Sequence, residues 1–86
     1  MEKKVWIFTT TTCAPCKMLK KQVELFPDLK AGVTYQNMDE NAASELAREM
    51  CIHKAPTVVL LQDGKPMDTV DGSMTAMLAA VVSHLS

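Results

Sequence analysis

Several features that mark specialised classes of protein are scarce or absent in this sequence. The formal net charge is −1, so the basic excess that is typical of nucleic-acid-binding proteins is missing. No apolar run approaches the roughly 18 residues that a membrane-spanning helix requires. The apolar stretch Val5–Phe8 is too short for a signal peptide and passes directly into threonines. We therefore expect no nucleic-acid partner, no membrane association and a cytoplasmic location.

Cysteine is scarce as well, and its pattern is informative. The chain has three cysteines, an odd number, and two of them lie in one Cys-x-x-Cys motif. A structural disulfide framework needs an even and more widely spread set. In a reducing compartment such a motif is more often redox-active or metal-binding. The rest of the composition, 86 residues of which 48 % are hydrophobic, fits one globular domain over residues 1–86 without linker or repeat.

Four segments have the apolar, β-branched or aromatic character of strands. They are Val5–Thr9, Val33–Met38, Thr57–Leu61 and Met67–Val70. The third is apolar on both faces, so we expect it at the centre of the sheet. Asp63-Gly64 is a hairpin signal that returns the chain into the fourth strand.

Three further segments repeat apolar residues at helical spacing. The inward-facing residues are predicted to be Met18, Leu19, Val23 and Phe26 in the first helix, Ala43, Leu46, Ala47 and Met50 in the second, and Met74, Met77, Leu78, Val81 and Leu85 in the third. Pro27 is expected at the end of the first helix, Asn41 is a candidate N-cap of the second, and Ser73 caps the third. The order β-α-β-α-β-β-α predicts an α/β fold, a four-stranded mixed sheet flanked by helices on both faces.

The cysteine motif follows the first strand and opens the first helix. Cys13 and Cys16 are three residues apart, so on a helix their sulfurs are neighbours and can form a disulfide with little backbone movement. Backbone N–H groups at a helix N-terminus favour a thiolate, which predicts a pKa below about 8.5 for Cys13. Cys16, one turn further in, should be more buried. We therefore predict that Cys13 is the nucleophile and Cys16 the resolving thiol.

Two other interpretations of the cysteine pair remain open on the residues alone. One is that the two residues are unrelated core thiols. The other is that they supply two ligands to a metal. A zinc site would need further ligands such as Cys51, His53 and His84, and their spacing resembles no ligand pair. A two-coordinate copper(I) site needs only the two sulfurs. Cys51 itself is expected to be a small buried hydrophobic residue, and the two histidines surface residues.

A second marker is the proline directly before the central strand. Proline cannot donate a hydrogen bond to a sheet, so its position there is unusual. Taken alone, this position favours a trans proline that simply begins the strand. Combined with the cysteine motif, it favours a cis Ala55–Pro56 peptide, which brings the backbone of residue 55 near the cysteine pair. That backbone is then placed to pair with an extended substrate, as in strand addition.

Together these motifs resemble those of the thioredoxin family. Cys13–Met18 resembles the family's Cys-Gly-Pro-Cys-Lys-Met motif, with Ala14 in place of the glycine. Ile52–Thr57 resembles the stretch that carries the family's cis-proline, and Asp63–Lys65 resembles its hairpin turn. Asp39 and Gly72 stand where the family has an aspartate and a glycine. The resemblance implies the thioredoxin fold and dithiol–disulfide exchange. It also implies a shallow peptide-binding groove formed by Thr12, Ala14, Pro15, Ala55, Pro56 and Gly72.

The sequence departs from the family pattern in four respects. It has no counterpart of the first strand and helix of full-length thioredoxins, and so resembles the short thioredoxin- and glutaredoxin-like proteins of archaea and viruses. Ile7 stands at the place of the family's buried aspartate, and Tyr35 at that of the lysine paired with it. Thr12 replaces the tryptophan before the first cysteine. The loss of the aspartate puts proton transfer at Cys16 in question. The loss of the tryptophan puts docking to ordinary thioredoxin partners in question.

The leading hypothesis is a monomeric protein-disulfide reductase that needs no cofactor. Resemblance suggests recycling by a thioredoxin reductase and disulfide-containing protein targets, with ribonucleotide reductase among them by family analogy alone. A glutathione-dependent, glutaredoxin-like reductase is one alternative, although the usual Cys-Pro-Tyr-Cys motif is absent. A metal-binding Cys-x-x-Cys module and a docking subunit without enzymatic activity are two others; the intact cysteine pair argues against the docking subunit.

Overall fold

The computed structural model describes residues 1–86 and contains four strands and four helices. Their bounds are β1 Lys3–Thr9, α1 Ala14–Glu24, α2 Pro27–Lys30, β2 Val33–Asn37, α3 Asn41–Glu49, β3 Thr57–Gln62, β4 Lys65–Asp71 and α4 Met74–Leu85. None of the four helices combines the length and the apolar character that a membrane span requires. The predicted order of elements is confirmed, with the short helix α2 added between α1 and β2.

The strands form one mixed sheet in the order β2-β1-β3-β4. β1 and β2 are parallel, whereas β3 runs antiparallel to both β1 and β4. The interior position predicted for β3 is confirmed. Its neighbouring residues Val58 and Val59 point to opposite faces, and both are fully buried, so helices cover the sheet on both sides.

Two hydrophobic clusters occupy the two faces of the sheet. The larger consists of Val5, Ile7, Leu19, Val23, Val58, Met77 and Val81, which come from β1, α1, β3 and α4. The smaller consists of Phe8, Ala47, Ile52, Val59 and Leu61, and places α3 on the opposite face. The alternation of side chains along β1 and β3 divides these residues between the clusters. Because α1 contributes Leu19 and Val23 to the larger cluster, the cysteine motif at the start of this helix is held against the sheet.

The inward face predicted for the first helix is partly wrong. Leu19 and Val23 are fully buried, but Met18 is 58 % and Phe26 45 % exposed. Met18 lies one residue, about 100° of helical rotation, away from the face that carries Cys16 and Leu19. Phe26 lies outside α1, which ends at Glu24. Pro27 does not end that helix but begins α2, where its missing N–H removes no helical hydrogen bond.

The N-cap predicted at Ser73 is confirmed, but the N-cap predicted at Asn41 is wrong. The hydroxyl of Ser73 accepts a hydrogen bond from the backbone N–H of Ala76 at 3.2 Å. At α3 the N-cap residue is Glu40, because its carbonyl accepts the first helical bond, from Ser44 N–H at 2.9 Å. Asn41 is already inside the helix.

The burial predicted for Cys51 is also wrong, because this side chain is exposed. Cys51 has a φ of +58° and follows the C-cap residue Met50 of α3. Its N–H donates to Arg48 C=O at 3.1 Å, and the N–H of Ile52 donates to Ala47 C=O at 2.8 Å. These two bonds form a Schellman motif, in which the left-handed residue points outwards and the next residue packs back onto the helix. Ile52 therefore takes the core position that was expected for Cys51.

Candidate active site

The cysteine pair lies just beyond the carboxyl end of β1, on the first turn of α1. Cys13 is the N-cap residue of α1, with extended backbone angles (φ −122°, ψ 104°), and Pro15 lies within the first turn. Cys13 and Cys16 form a disulfide across a Cα–Cα distance of 5.2 Å. The interpretation of these residues as two unrelated core thiols is thus wrong. The pair forms one dithiol–disulfide unit.

The sulfur of Cys13 takes the place that a hydroxyl or carboxylate oxygen takes at an ordinary helix N-cap. The backbone N–H of Cys16 donates to Sγ of Cys13 at 3.2 Å. A negative charge on this sulfur is stabilised by that bond and by the positive end of the helix dipole. Cys13 is 8 % and Cys16 4 % exposed, so the expected order of burial is confirmed, by a small margin.

The segment before β3 faces the cysteine pair. The Ala55–Pro56 peptide is cis, as predicted. Sγ of Cys13 lies 3.7 Å from the carbonyl oxygen of Ala55, which confirms the expected proximity. Thr57, the first residue of β3, is buried and donates its hydroxyl to the carbonyl of Lys54 at 2.7 Å. This bond closes the turn that presents Ala55 to the sulfur.

The other residues expected at the groove lie next to the cysteines in the sequence or at the same end of the sheet. Thr12, Ala14 and Pro15 are exposed. Gly72 has a φ of +87°, a left-handed conformation that favours glycine, and it follows Asp71, which pairs with Thr57 in the sheet. This register places Gly72 at the same end of the sheet as the cis peptide. The resulting surface consists of exposed Thr12, Ala14, Pro15 and Gly72 with half-buried Ala55 and buried Pro56.

A polar network that sequence reasoning missed holds the loop before Cys13. The N–H of Thr11 donates to Asp39 Oδ2 at 2.7 Å, and Asn37 Nδ2 donates to the Thr11 hydroxyl oxygen at 3.3 Å. The N–H of Asp39 donates to Asn37 Oδ1 at 2.9 Å. The Asn-x-Asp spacing is the one signal in the sequence, since it favours a side-chain-to-backbone turn. Hydrogen bonds from the backbone and then the hydroxyl of Thr11 lower the pKa of Asp39.

Replacing Asp39 with alanine is expected to loosen the loop that leads to the cysteines. Amide hydrogen exchange at Thr11 should become severalfold faster, because its acceptor is lost. Because the folded-state pKa of Asp39 is lowered, its contribution to stability is complete above the ordinary value of 3.8 and is lost as the pH falls through the lower folded value. Asp39→Asn, which keeps an acceptor oxygen, is the control. Equal Thr11 exchange in all three proteins contradicts this assignment.

The residues considered for a zinc site do not assemble one. No group of three or more His, Cys, Asp or Glu side chains has a geometry that holds a metal ion. His84 was expected to be a surface residue, but it is half-buried, and its Nε2 lies 2.7 Å from the carbonyl oxygen of Leu61. Cys51 is exposed at the end of α3.

Taken together, the mixed sheet, the disulfide that caps a helix and the facing cis-proline define a thiol–disulfide oxidoreductase. The comparisons with known proteins agree. The family model described as "Thioredoxin" matches residues 2–84. Thioredoxin from Malassezia sympodialis is 35 % identical over 81 residues, which span 92 % of this chain and 77 % of that protein. Its crystal structure superposes with a TM-score of 0.76 over 99 % of this chain and 76 % of that one.

Two other similar proteins extend this picture. A variant thioredoxin from Halobacterium salinarum, 27 % identical, superposes with a TM-score of 0.78 over 99 % of this chain and 76 % of that chain. A Mycobacterium leprae protein named "Bifunctional thioredoxin reductase/thioredoxin" is 31 % identical over 67 residues, 77 % of this chain and 15 % of that protein. The chain belongs to the thioredoxin family. Its predicted thioredoxin fold is confirmed, and it is a thiol–disulfide oxidoreductase that acts on protein disulfides.

Proposed function

We propose that Cys13 attacks target disulfides and that Cys16 resolves the resulting mixed disulfide. The thiolate of Cys13 forms a bond to one target sulfur, and the other target sulfur leaves with the electron pair of the broken bond. Sγ of Cys16 then bonds to Sγ of Cys13, and the second target sulfur leaves. The observation that carries this assignment is the N–H of Cys16 at 3.2 Å from Cys13 Sγ, which stabilises charge on residue 13.

The surface around the disulfide is proposed as the groove for the target peptide. The carbonyl oxygen of Ala55 lies 3.7 Å from Cys13 Sγ. A peptide that binds to the backbone of Ala55 can therefore bring its disulfide to this sulfur. An extended peptide that pairs with this backbone adds a short strand ahead of β3. None of the residues proposed to flank the bound peptide carries a charged side chain; they are Thr12, Ala14, Pro15, Pro56 and Gly72. The proposed specificity is therefore for backbone shape rather than for one side chain.

We further propose that a thioredoxin reductase returns the oxidised pair to the dithiol. The support is the likeness to the Mycobacterium leprae protein, whose name joins a reductase to a thioredoxin. Residues 1–86 are proposed to act as one monomeric domain in the cytoplasm, on disulfide-containing proteins, of which ribonucleotide reductase is one by analogy.

A coupled assay tests the proposed electron donor. With NADPH, a thioredoxin reductase and insulin as the disulfide substrate, NADPH oxidation should rise in proportion to the amount of this protein. Glutathione with glutathione reductase should support a slower reaction. The variant Cys51→Ser, which removes the exposed thiol, should be as active as the parent. Faster turnover with glutathione than with the reductase contradicts the proposal and identifies a glutaredoxin-like protein.

A further inference from the structure

An apolar groove lies between α1 and α4 on the surface of the molecule. It encloses about 590 Å³, within the range of roughly 300–1,000 Å³ that is typical of ligand-binding clefts. Its apolar wall residues are Met18, Met74, Leu78, Ala79 and Val82, and none of the other wall residues is charged. Helices at a protein surface usually carry charged residues on their outer side, but α4 contains no Asp, Glu, Lys or Arg. The α1–α4 groove therefore favours an uncharged occupant.

Exposed apolar side chains continue the groove towards the far end of α1. A second hollow of about 390 Å³ has Leu25, Phe26 and Leu85 among its walls, and Val82 lines both hollows. Met18, Leu25 and Phe26 are three of the five large hydrophobic side chains that are exposed in this chain. Single exposed apolar residues are normal, but a contiguous set of them marks an interaction surface. The groove is thus a surface on which another molecule can be expected to bind.

One end of the groove adjoins the surface proposed to bind the target peptide. Met18 is three residues from Pro15, so the two are neighbours on α1. Met74, the first residue of α4, follows Gly72 by two residues. Along the axis of α1, Met18 lies about 7–8 Å beyond Cys13, at 1.5 Å per residue. An extended peptide covers about 3.3 Å per residue, so a side chain about two or three positions from the attacked cysteine reaches the groove.

We propose that the α1–α4 groove binds an apolar side chain of the target protein, about two or three residues from the cysteine whose disulfide Cys13 attacks. The inference rests on the role proposed above for Cys13 and deepens it, because it names a class of substrate. The surface around the disulfide selects for backbone shape, and the groove beside it adds a preference for one side chain.

The burial of Cys13 indicates that the occupant is a segment of the target. Because this sulfur is nearly inaccessible, a target disulfide reaches it only by close contact with the surrounding surface. That contact covers the end of the groove formed by Met18 and Met74. Methionine side chains are flexible and polarisable, so these two can adapt to leucine, isoleucine, methionine or phenylalanine. A charged side chain is disfavoured, since it would lose water without gaining a partner.

Peptides that carry one cysteine joined to thionitrobenzoate measure this preference. The thiolate of Cys13 bonds to the peptide sulfur, and thionitrobenzoate, the better leaving group, departs with the electron pair and absorbs visible light. Peptides with leucine, serine or glutamate at the third residue before or after the cysteine are compared at neutral pH. The reduced protein carries Cys51→Ser, because the exposed thiol of Cys51 reacts with disulfides as well.

The second-order rate constant should be about tenfold higher for leucine than for serine, the lower end of the effect of apolar groups in an enzyme pocket. Glutamate should give no advantage over serine. The preference should appear on one side of the cysteine only, and that side defines the direction of the bound peptide.

Two variants of the groove and one control locate the preference. Met18→Ala removes a wall, and Ala79→Glu places a charge at an exposed wall position. In both, the ratio of the leucine to the serine rate constant should fall from about ten to about one. Met67→Ala is the matched control, because Met67 is as exposed as Met18 but lies on β4, outside the groove. This variant should keep the ratio of the parent.

Equal rate constants for leucine and serine in the parent overturn the role of the groove alone. A leucine preference that persists in both groove variants also overturns it, since the apolar side chain then binds elsewhere. If thionitrobenzoate is released from every peptide no faster than by the Cys13→Ser variant, the role of Cys13 fails, and this inference fails with it.

Discussion

Replacing Cys13 with serine should reduce protein-disulfide reduction to the uncatalysed background. Exchange requires a thiolate at residue 13, and a serine hydroxyl is neither ionised at neutral pH nor able to form a disulfide. The backbone N–H of Cys16 and the helix dipole remain, but they have no charge to stabilise. We expect a loss of insulin reduction of about a thousandfold or more, since removal of an enzyme's nucleophile can lower the rate by about a millionfold. Rates with dithiothreitol as the electron donor measure it without any reductase.

Cys16→Ser is the matched variant, since it removes a sulfur three residues away with the same change of atom. Its Cys13 can still attack, but nothing resolves the mixed disulfide. The protein should therefore accumulate a covalent complex with its substrate, seen as a mass increase that dithiothreitol reverses. Cys13→Ser should show no such complex at the active site. Both variants also carry Cys51→Ser, so that the exposed third thiol cannot form a covalent complex with the substrate. A complex of equal yield in Cys13→Ser contradicts the assignment of the nucleophile.

The parts of this site that the sequence predicted are those encoded within a few residues. Cys13 and Cys16 are one helical turn apart, so their spacing alone brings the sulfurs together. Pro56 lies directly before a central strand, where a proline is unusual, and this position together with the cysteine motif predicted the cis peptide. The likeness of both motifs to one family then joined them, although they are about forty residues apart. The distance of 3.7 Å from Cys13 Sγ to Ala55 C=O is the result.

The parts that the sequence did not predict depend on contacts between distant segments or on one local backbone angle. Thr11 and Asp39 meet because β1 and β2 are parallel and end at the same edge of the sheet. The α1–α4 groove has no signature in either helix alone, since its two walls meet only in the folded chain. Cys51 was misplaced because the identity of the residue that adopts the left-handed angle decides whether Cys51 or Ile52 enters the core. Hydrophobicity alone does not decide between Cys51 and Ile52 for the core position, because both side chains are apolar.

Leu19→Ala is expected to be strongly destabilising although it lies away from the cysteines. Leu19 is fully buried and joins α1 to β1, β3 and α4 in the larger cluster. Truncating a buried leucine destabilises a protein by about 2–5 kcal/mol, through lost burial and the cavity left behind. The total for a chain of this size is roughly 4–13 kcal/mol at 0.05–0.15 kcal/mol per residue. The substitution therefore removes a large share of the stability and loosens the helix that carries both cysteines.

The neighbouring Met18→Ala is the control that distinguishes the structure from the sequence pattern. Periodicity predicted both side chains to face inwards, but Met18 is 58 % exposed whereas Leu19 is fully buried. Its truncation should change the free energy of unfolding by less than about 0.5 kcal/mol, the range of ordinary surface substitutions. Urea unfolding of the two oxidised variants measures the difference. A loss in Met18→Ala as large as that in Leu19→Ala contradicts the rotation of α1. The cysteines would then be presented on a different face of the helix, because Cys16 shares its buried face with Leu19.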